Sequence, residues 1–127
     1  KKKMNATRWG ILGASKIAKD FIIALKTLPD TDHEVVAIAA RSLERAESIA
    51  KQHGVGCAYG SYEELVKDPR VQIVYVASIH PQHVHLAKLA LNNGKHVLCE
   101  KPMTMNSLEA EEILTLAKEK GLFFMEV

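Results

Sequence analysis

A chain of 127 residues, 47% hydrophobic and 25% charged, has the composition of one globular domain that buries its own core, and no apolar run approaches the roughly 18 residues that would span a bilayer. The formal charge of +2 comes from Lys1, Lys2 and Lys3, and the remainder holds 14 basic against 15 acidic residues, a balance that offers no basic surface to nucleic acid or to a membrane. Residues 1–7 read as a disordered or non-native tail ahead of a single domain over 8–127; with no apolar stretch behind the lysines, no targeting signal is expected and the cytoplasm is the default compartment.

In chain order, Trp9–Leu12 predicts a first strand. Ile17, Phe21, Ala24, Leu25 and Leu28 then recur at helical spacing, predicting a helix that presents this stripe on one face and ends before Pro29. Val35–Ala40 is the second expected strand, Ser42–His53 a helix stopped by Gly54, and Cys57–Tyr59 a short third strand. Ser61 is spaced to cap the next helix while Glu64, three residues on, reaches back to the cap amide. Ile73–Ala77 follows as strand four, Pro81–Asn93 as a helix closed at Gly94, and His96–Cys99 as strand five. Asn106 and Glu109 repeat the capping spacing. The helix behind them is expected to bury Ala110, Ile113, Leu114 and Ala117 and to end at Gly121, with Leu122–Met125 as a sixth strand. This alternation predicts an α/β fold: a Rossmann-type doubly wound parallel sheet of about six strands, with right-handed crossovers. Its ligand crevice lies at the carboxyl ends of the strands, where the strand order reverses. Cys57 and Cys99 fall on separate strands and are read as two buried thiols, not a disulfide.

Four of those strand ends carry residues with chemistry. After strand one, Gly13, Ser15 and Ala18 occupy the three spaced positions of a G-x-G-x-x-G/A turn, and Lys16 and Ile17 open the helix whose amides would face a pyrophosphate. Ser15 is the departure, since its side chain fills space that glycine would leave to phosphate, although its hydroxyl is itself a donor. After strand two, where an acidic residue would hold a free ribose 2′-hydroxyl, stand Arg41 and Ser42, with Arg45 one turn onward. A planar cationic fork beside a hydroxyl suits a 2′-phosphate, which favours NADP over NAD. Ser78, Ile79, His80 and His83 follow strand four, and Glu100, Lys101 and Pro102 follow strand five. A lysine at the crevice mouth can hydrogen-bond a substrate oxygen or, with its pKa lowered by nearby positive charge, carry a proton during hydride transfer.

The segments Gly10–Ala18, Val76–His83 and Gly94–Pro102 together resemble the glucose-fructose oxidoreductase and inositol dehydrogenase family, over Arg8 to Val127. Within it, Tyr59–Leu65, His80–His83 and Phe124–Glu126 are most similar to the dimeric dihydrodiol dehydrogenases, also described as NADP-dependent D-xylose dehydrogenases. The resemblance implies that Lys101 sits beside the nicotinamide as the catalytic residue and that Glu100 contacts the nicotinamide ribose. It also implies that Ser78, Ile79 and His80 line the cofactor and that His83 supports their loop. Many members have glycine at position 15 and proline at position 79. The family's longer members add a substrate domain built on an open β-sheet, through which dimers form. The expectation is therefore the cofactor half of an enzyme acting on a trans-dihydrodiol or an aldopentose such as D-xylose, inactive or nearly so by itself.

The same residues admit other readings, first among them an NAD-dependent sugar or polyol dehydrogenase of the same family. His80, His83 and His85 suggest a metal cluster, but His83 and His85 lie two apart on a helix and point to different faces, so no metal is expected. A non-catalytic NADP-binding redox sensor shares the cofactor site and would retain binding without Lys101. A methyltransferase using S-adenosylmethionine calls for an acidic residue where Arg41 stands. Tyr59 and Tyr62 are read as packing residues.

Overall fold

The computed structural model describes residues 6–77, 83–100 and 107–127. Its elements alternate as expected: β1 (Thr7–Leu12), α1 (Lys16–Lys26), β2 (His33–Ala39), α2 (Leu43–His53), β3 (Ala58–Tyr59), α3 (Tyr62–Val66), β4 (Ile73–Val76), α4 (His83–Asn92), β5 (His96–Cys99), α5 (Ser107–Glu119) and β6 (Phe124–Glu126). All six strands run parallel in the order β3-β2-β1-β4-β5-β6. The direction of strand succession reverses between β1 and β4, so the crevice of this Rossmann-type sheet opens past Leu12 and Val76. β1 already includes Thr7, and Ala6 is buried, so the folded chain starts ahead of the boundary expected at residue 8.

Each sheet face has its own core. Trp9, Ile11, Ile38 and Tyr75 pack with Ala18, Ile22, Ala46 and Ile49 from α1 and α2. Leu12, Val36, Val74, Val76 and Val97 pack with Leu65, Leu86, Ala90 and Ile113 from α3, α4 and α5. Neighbours such as Val74 and Tyr75 divide between these cores because side chains alternate along a strand. Gly10 is needed for approach: a Cβ there would lie 2.7 Å from Leu65 Cδ2 and 3.0 Å from Val71 Cγ1.

Two helical stripes differ from expectation. In α1 the fully buried positions are Ala18, Ile22 and Leu25, while Ile17 and Leu28 are each 46% exposed. The helix is rotated so that the small Ala18, not Ile17, meets the sheet. In α5, Ile113 and Ala117 are buried but Leu114 is 57% exposed, because α5 packs chiefly against α4 along a narrow seam. Gly54, Gly94 and Gly121 end their helices at φ values of 70°, 79° and 66°, as only glycine does without strain. Beyond Gly121, Leu122 donates its amide to the Ala117 carbonyl at 2.8 Å and Gly121 to Lys118 at 3.1 Å. Leu122 thus belongs to the helix cap, and β6 starts at Phe124, later than expected. Ser61 caps α3 as read, accepting from the Glu64 amide at 3.2 Å, but the Glu64 carboxylate accepts from the Ser61 hydroxyl and not from the cap amide. Both cysteines are free thiols, Cys57 half-buried and Cys99 fully buried, the latter pushed up to about 12 chiefly by burial.

At the end of the sheet opposite the crevice lies a buried polar cluster. The Asp68 carboxylate accepts from the Arg70 amide (2.9 Å), from Arg70 Nε and Nη2 (3.1 and 2.7 Å) and from the Tyr59 hydroxyl (2.8 Å). Lys95, also buried, donates to the Asp68 and Val71 carbonyls at 2.7 Å each. Arg70 holds the Asp68 carboxyl well below the usual carboxylate range, while burial lowers Lys95.

Candidate functional site

The backbone ladder continues one residue past most strand ends, which fixes the points from which the site loops depart. Gly13 donates to the Ala39 carbonyl (2.8 Å), Ala40 to Tyr59 (3.2 Å), Ala77 to Leu12 (2.8 Å) and Glu100 to Val76 (3.1 Å). Gly13 then turns with φ 120°, a conformation closed to side-chain-bearing residues at ordinary cost. Ser15 follows as the cap of α1, accepting from the Ala18 amide at 3.2 Å and donating to the Ala77 carbonyl at 2.9 Å. Its single proton is thereby committed across the reversal point between β1 and β4, so it ties the two loops together and is not free to reach a phosphate at the same time. Lys16 and Ile17 stand exposed on the first turn of α1. Lys16 pairs with Asp20 at 3.1 Å, with both side chains in solvent, a contact that constrains the ammonium little.

Beyond β2, Arg41 is exposed and Ser42 caps α2, accepting from the Arg45 amide at 3.3 Å. Arg45 reaches back to the glycine turn, its Nη2 donating to the Ala14 carbonyl at 2.9 Å. Arg41 meets the half-buried Tyr62: burial raises the Tyr62 hydroxyl above its ordinary pKa, and the charge of Arg41 and its hydrogen bond pull it partly back. Lys16 and Arg45 thus flank the glycine turn, Arg41 stands one strand over at the end of β2, and α1 and α2 carry Asp20 and Glu44.

At the far side, Glu100 is half-buried past β5 and accepts a hydrogen bond from the Tyr75 hydroxyl. His83, the first described residue of α4, is buried, while His85 is exposed, as their spacing requires. Ser78, Ile79, His80 and Lys101 lie outside the described residues. The structure therefore brings Gly13, Ser15, Lys16, Ile17, Arg41, Ser42 and Arg45 to one end of the sheet, with Glu100 two strands away from the turn.

Sequence reasoning took Tyr62 as a packing residue and left Tyr75 inside strand four. Neither has a local signal, because each acts through a partner far away in the chain. Tyr59, also taken as packing, donates to Asp68 at the other end of the sheet.

Comparison with known proteins agrees with this fold. The chain is 51% identical over 121 residues to the trans-1,2-dihydrobenzene-1,2-diol dehydrogenase of Xenopus tropicalis, covering 95% of this chain and 37% of that protein. It is 52% identical to the Bos taurus protein of the same name, covering 95% and 36%. Among solved structures, a 3-ketoreductase from Actinomadura kijaniata in complex with NADP and TDP-benzene matches with a TM-score of 0.88 and 36% identity, covering 96% of this chain and 37% of that one. An NAD-binding oxidoreductase from Klebsiella pneumoniae matches with a TM-score of 0.88 and 29% identity, covering 97% and 34%. The chain spans little more than a third of the curated relatives it matches. Residues 7–127 match the oxidoreductase family with an NAD-binding Rossmann fold, and the chain belongs to that family.

Proposed function

We propose that this domain holds NADP for an oxidoreductase that oxidises a secondary alcohol or a sugar C1 hydroxyl, with a trans-dihydrodiol or an aldopentose as the substrate class. The observation that carries the cofactor assignment is the end of β2, where exposed Arg41 stands beside Ser42 and Tyr62 with no carboxylate at the position that would take a ribose 2′-hydroxyl. A guanidinium placed there meets a phosphate dianion with a permanent charge and two parallel donors. The rest of the site fits the same ligand. Gly13 leaves the turn without a side chain, the amides of Lys16 and Ile17 lie at the start of an 11-residue helix, and a helix start favours negative charge.

Bound NADP would supply the hydride acceptor. In this reading Glu100 receives the nicotinamide ribose hydroxyls, Ser78, Ile79 and His80 line the cofactor, and His83 supports their loop. Lys101, directly after Glu100, takes the proton of the substrate hydroxyl as its carbon is oxidised and returns it in the reverse direction. The substrate pocket belongs to a further domain in a longer, homodimeric protein. The dihydrodiol dehydrogenase relatives and the NADP-bound 3-ketoreductase support both the reaction class and the cofactor.

Titrating the 127-residue chain with NADP and NAD tests the cofactor assignment. NADP is expected to bind more tightly, and Arg41→Ala to weaken NADP at least tenfold, the cost of about 1.5 kcal/mol or more for losing a charge-assisted pair, while NAD changes little. An NADP affinity that stays within about twofold in Arg41→Ala would refute the 2′-phosphate assignment.

A further inference from the structure

Tyr75 occupies an unusual place for a tyrosine. It sits in the middle of the sheet on β4, only 2% exposed, where phenylalanine would fill the same space without a polar atom to satisfy. Its ring lies flat on Phe21 of α1, with centroids 3.8 Å apart and planes within 10° of each other. Phe21 in turn packs edge-on against Trp9 at 5.1 Å. Phe21, braced by Trp9, therefore pins the phenol in place, and its hydroxyl emerges at the crevice end of the sheet to donate to Glu100. Burial and the neighbouring carboxylate both raise the tyrosine pKa, so it stays a proton donor at every physiological pH.

Glu100 sits past the end of β5 with its backbone tied to Val76, but a glutamate has three side-chain torsions with which to leave the site. The phenol removes that freedom. One hydrogen bond takes one acceptor position, and an ionised carboxylate offers about four. The Tyr75 bond by itself therefore leaves the carboxylate able to accept further donors.

We propose that Tyr75 is a positioning residue for the cofactor: anchored on Phe21 and Trp9, it presets the Glu100 carboxylate to receive the hydroxyls of the nicotinamide ribose. This rests on the reading above that Glu100 meets that ribose. A preset acceptor avoids the ordering cost of a mobile side chain on binding, so the benefit falls on the nicotinamide half of the cofactor and not on the adenosine half.

The test uses Tyr75→Phe in the 127-residue chain, which keeps the ring stack and removes only the hydroxyl. Dissociation constants are measured for two probes, NADPH and adenosine 2′,5′-bisphosphate, with quenching of the single tryptophan, Trp9, and calorimetry as readouts. NADPH is expected to bind roughly three- to tenfold more weakly to Tyr75→Phe, while the bisphosphate binds both proteins within about twofold. Glu100→Ala should weaken NADPH by at least as much, and adding Tyr75→Phe to it should have no further effect. If both probes weaken together, or NADPH is unchanged, Tyr75 is a core residue only and the proposal fails. If Tyr75→Phe still weakens NADPH in the Glu100→Ala background, the effect does not pass through Glu100 and the proposal fails as well. Unchanged NADPH binding in Glu100→Ala alone overturns the ribose reading. Loss of bisphosphate binding by the unmodified chain overturns the 2′-phosphate assignment, and the NADPH comparison then still decides the role of Tyr75.

Discussion

Lys101→Ala in the complete enzyme is expected to lower kcat by about 10²- to 10⁴-fold, the usual contribution of a positioned proton carrier, with the Kd for NADPH within about twofold. The reason is a division of labour along β5. Glu100, past the end of that strand, is held by Tyr75 and by the Val76 carbonyl; in the proposed function it serves binding, and the adjoining lysine serves the proton. An alcohol cannot give up hydride efficiently while keeping its hydroxyl proton, so losing the acceptor shows in the chemical step and not in cofactor affinity. Lys101→Arg should not restore the rate, because a guanidinium does not release its proton near neutral pH. Steady-state and single-turnover kinetics on the full-length protein check this. A kcat reduced less than about threefold would remove Lys101 from the chemistry.

Asp68→Ala, at the other end of the sheet, is expected to destabilise the fold by about 2 to 4 kcal/mol, measured by urea unfolding. The Asp68 side chain is nearly fully buried, and its carboxylate accepts from Tyr59 and from three donors of Arg70. The Arg70 side chain is 53% exposed, so solvent screens its share of the ion pair. Most of the cost falls on the hydrogen bond that Tyr59 loses in a half-buried site and on the loss of the tight turn at Asp68–Arg70, which positions the carbonyls that Lys95 grips. The same group sets a pH dependence. The folded-state pKa of Asp68 is depressed, chiefly by hydrogen bonds from Arg70, below an unfolded value of about 3.9. Its stabilisation is therefore fully present above that value and is lost as pH falls toward the folded pKa. Unmodified protein and Asp68→Ala should differ by a constant amount above about pH 5 and converge in acid; a difference that stays constant down to pH 3 would refute the linkage.

The parts of this fold that were legible in the sequence are those decided locally. Gly54, Gly94 and Gly121 announce helix ends because each sits at a positive φ, and Ser42 and Ser61 announce helix starts because a hydroxyl three residues ahead of an amide can cap it. The alternation of apolar segments and helical spacing was enough for the parallel sheet. Helix rotation was less legible, because Ile17 and Ala18 are both apolar and only the tight approach of α1 to the sheet selects the smaller one. The candidate site divides in the same way. Gly13, Arg41 and Ser42 follow from their offsets to strand ends. The bonds from Arg45 to Ala14, Ser15 to Ala77 and Tyr75 to Glu100 join residues 31, 62 and 25 positions apart, and no spacing rule within one element reaches them.

The hydroxyl of Ser15 also bears on how this domain could be re-engineered. Because it spans from the glycine turn to the carbonyl of Ala77, the turn and the exit of β4 are a matched pair. Importing a relative's turn with glycine at position 15 would leave that carbonyl without its donor and loosen the spacing of the two loops. Recombination between homologues should therefore succeed more often when both segments come from the same parent. A cross-over placed anywhere between residues 16 and 76 separates them.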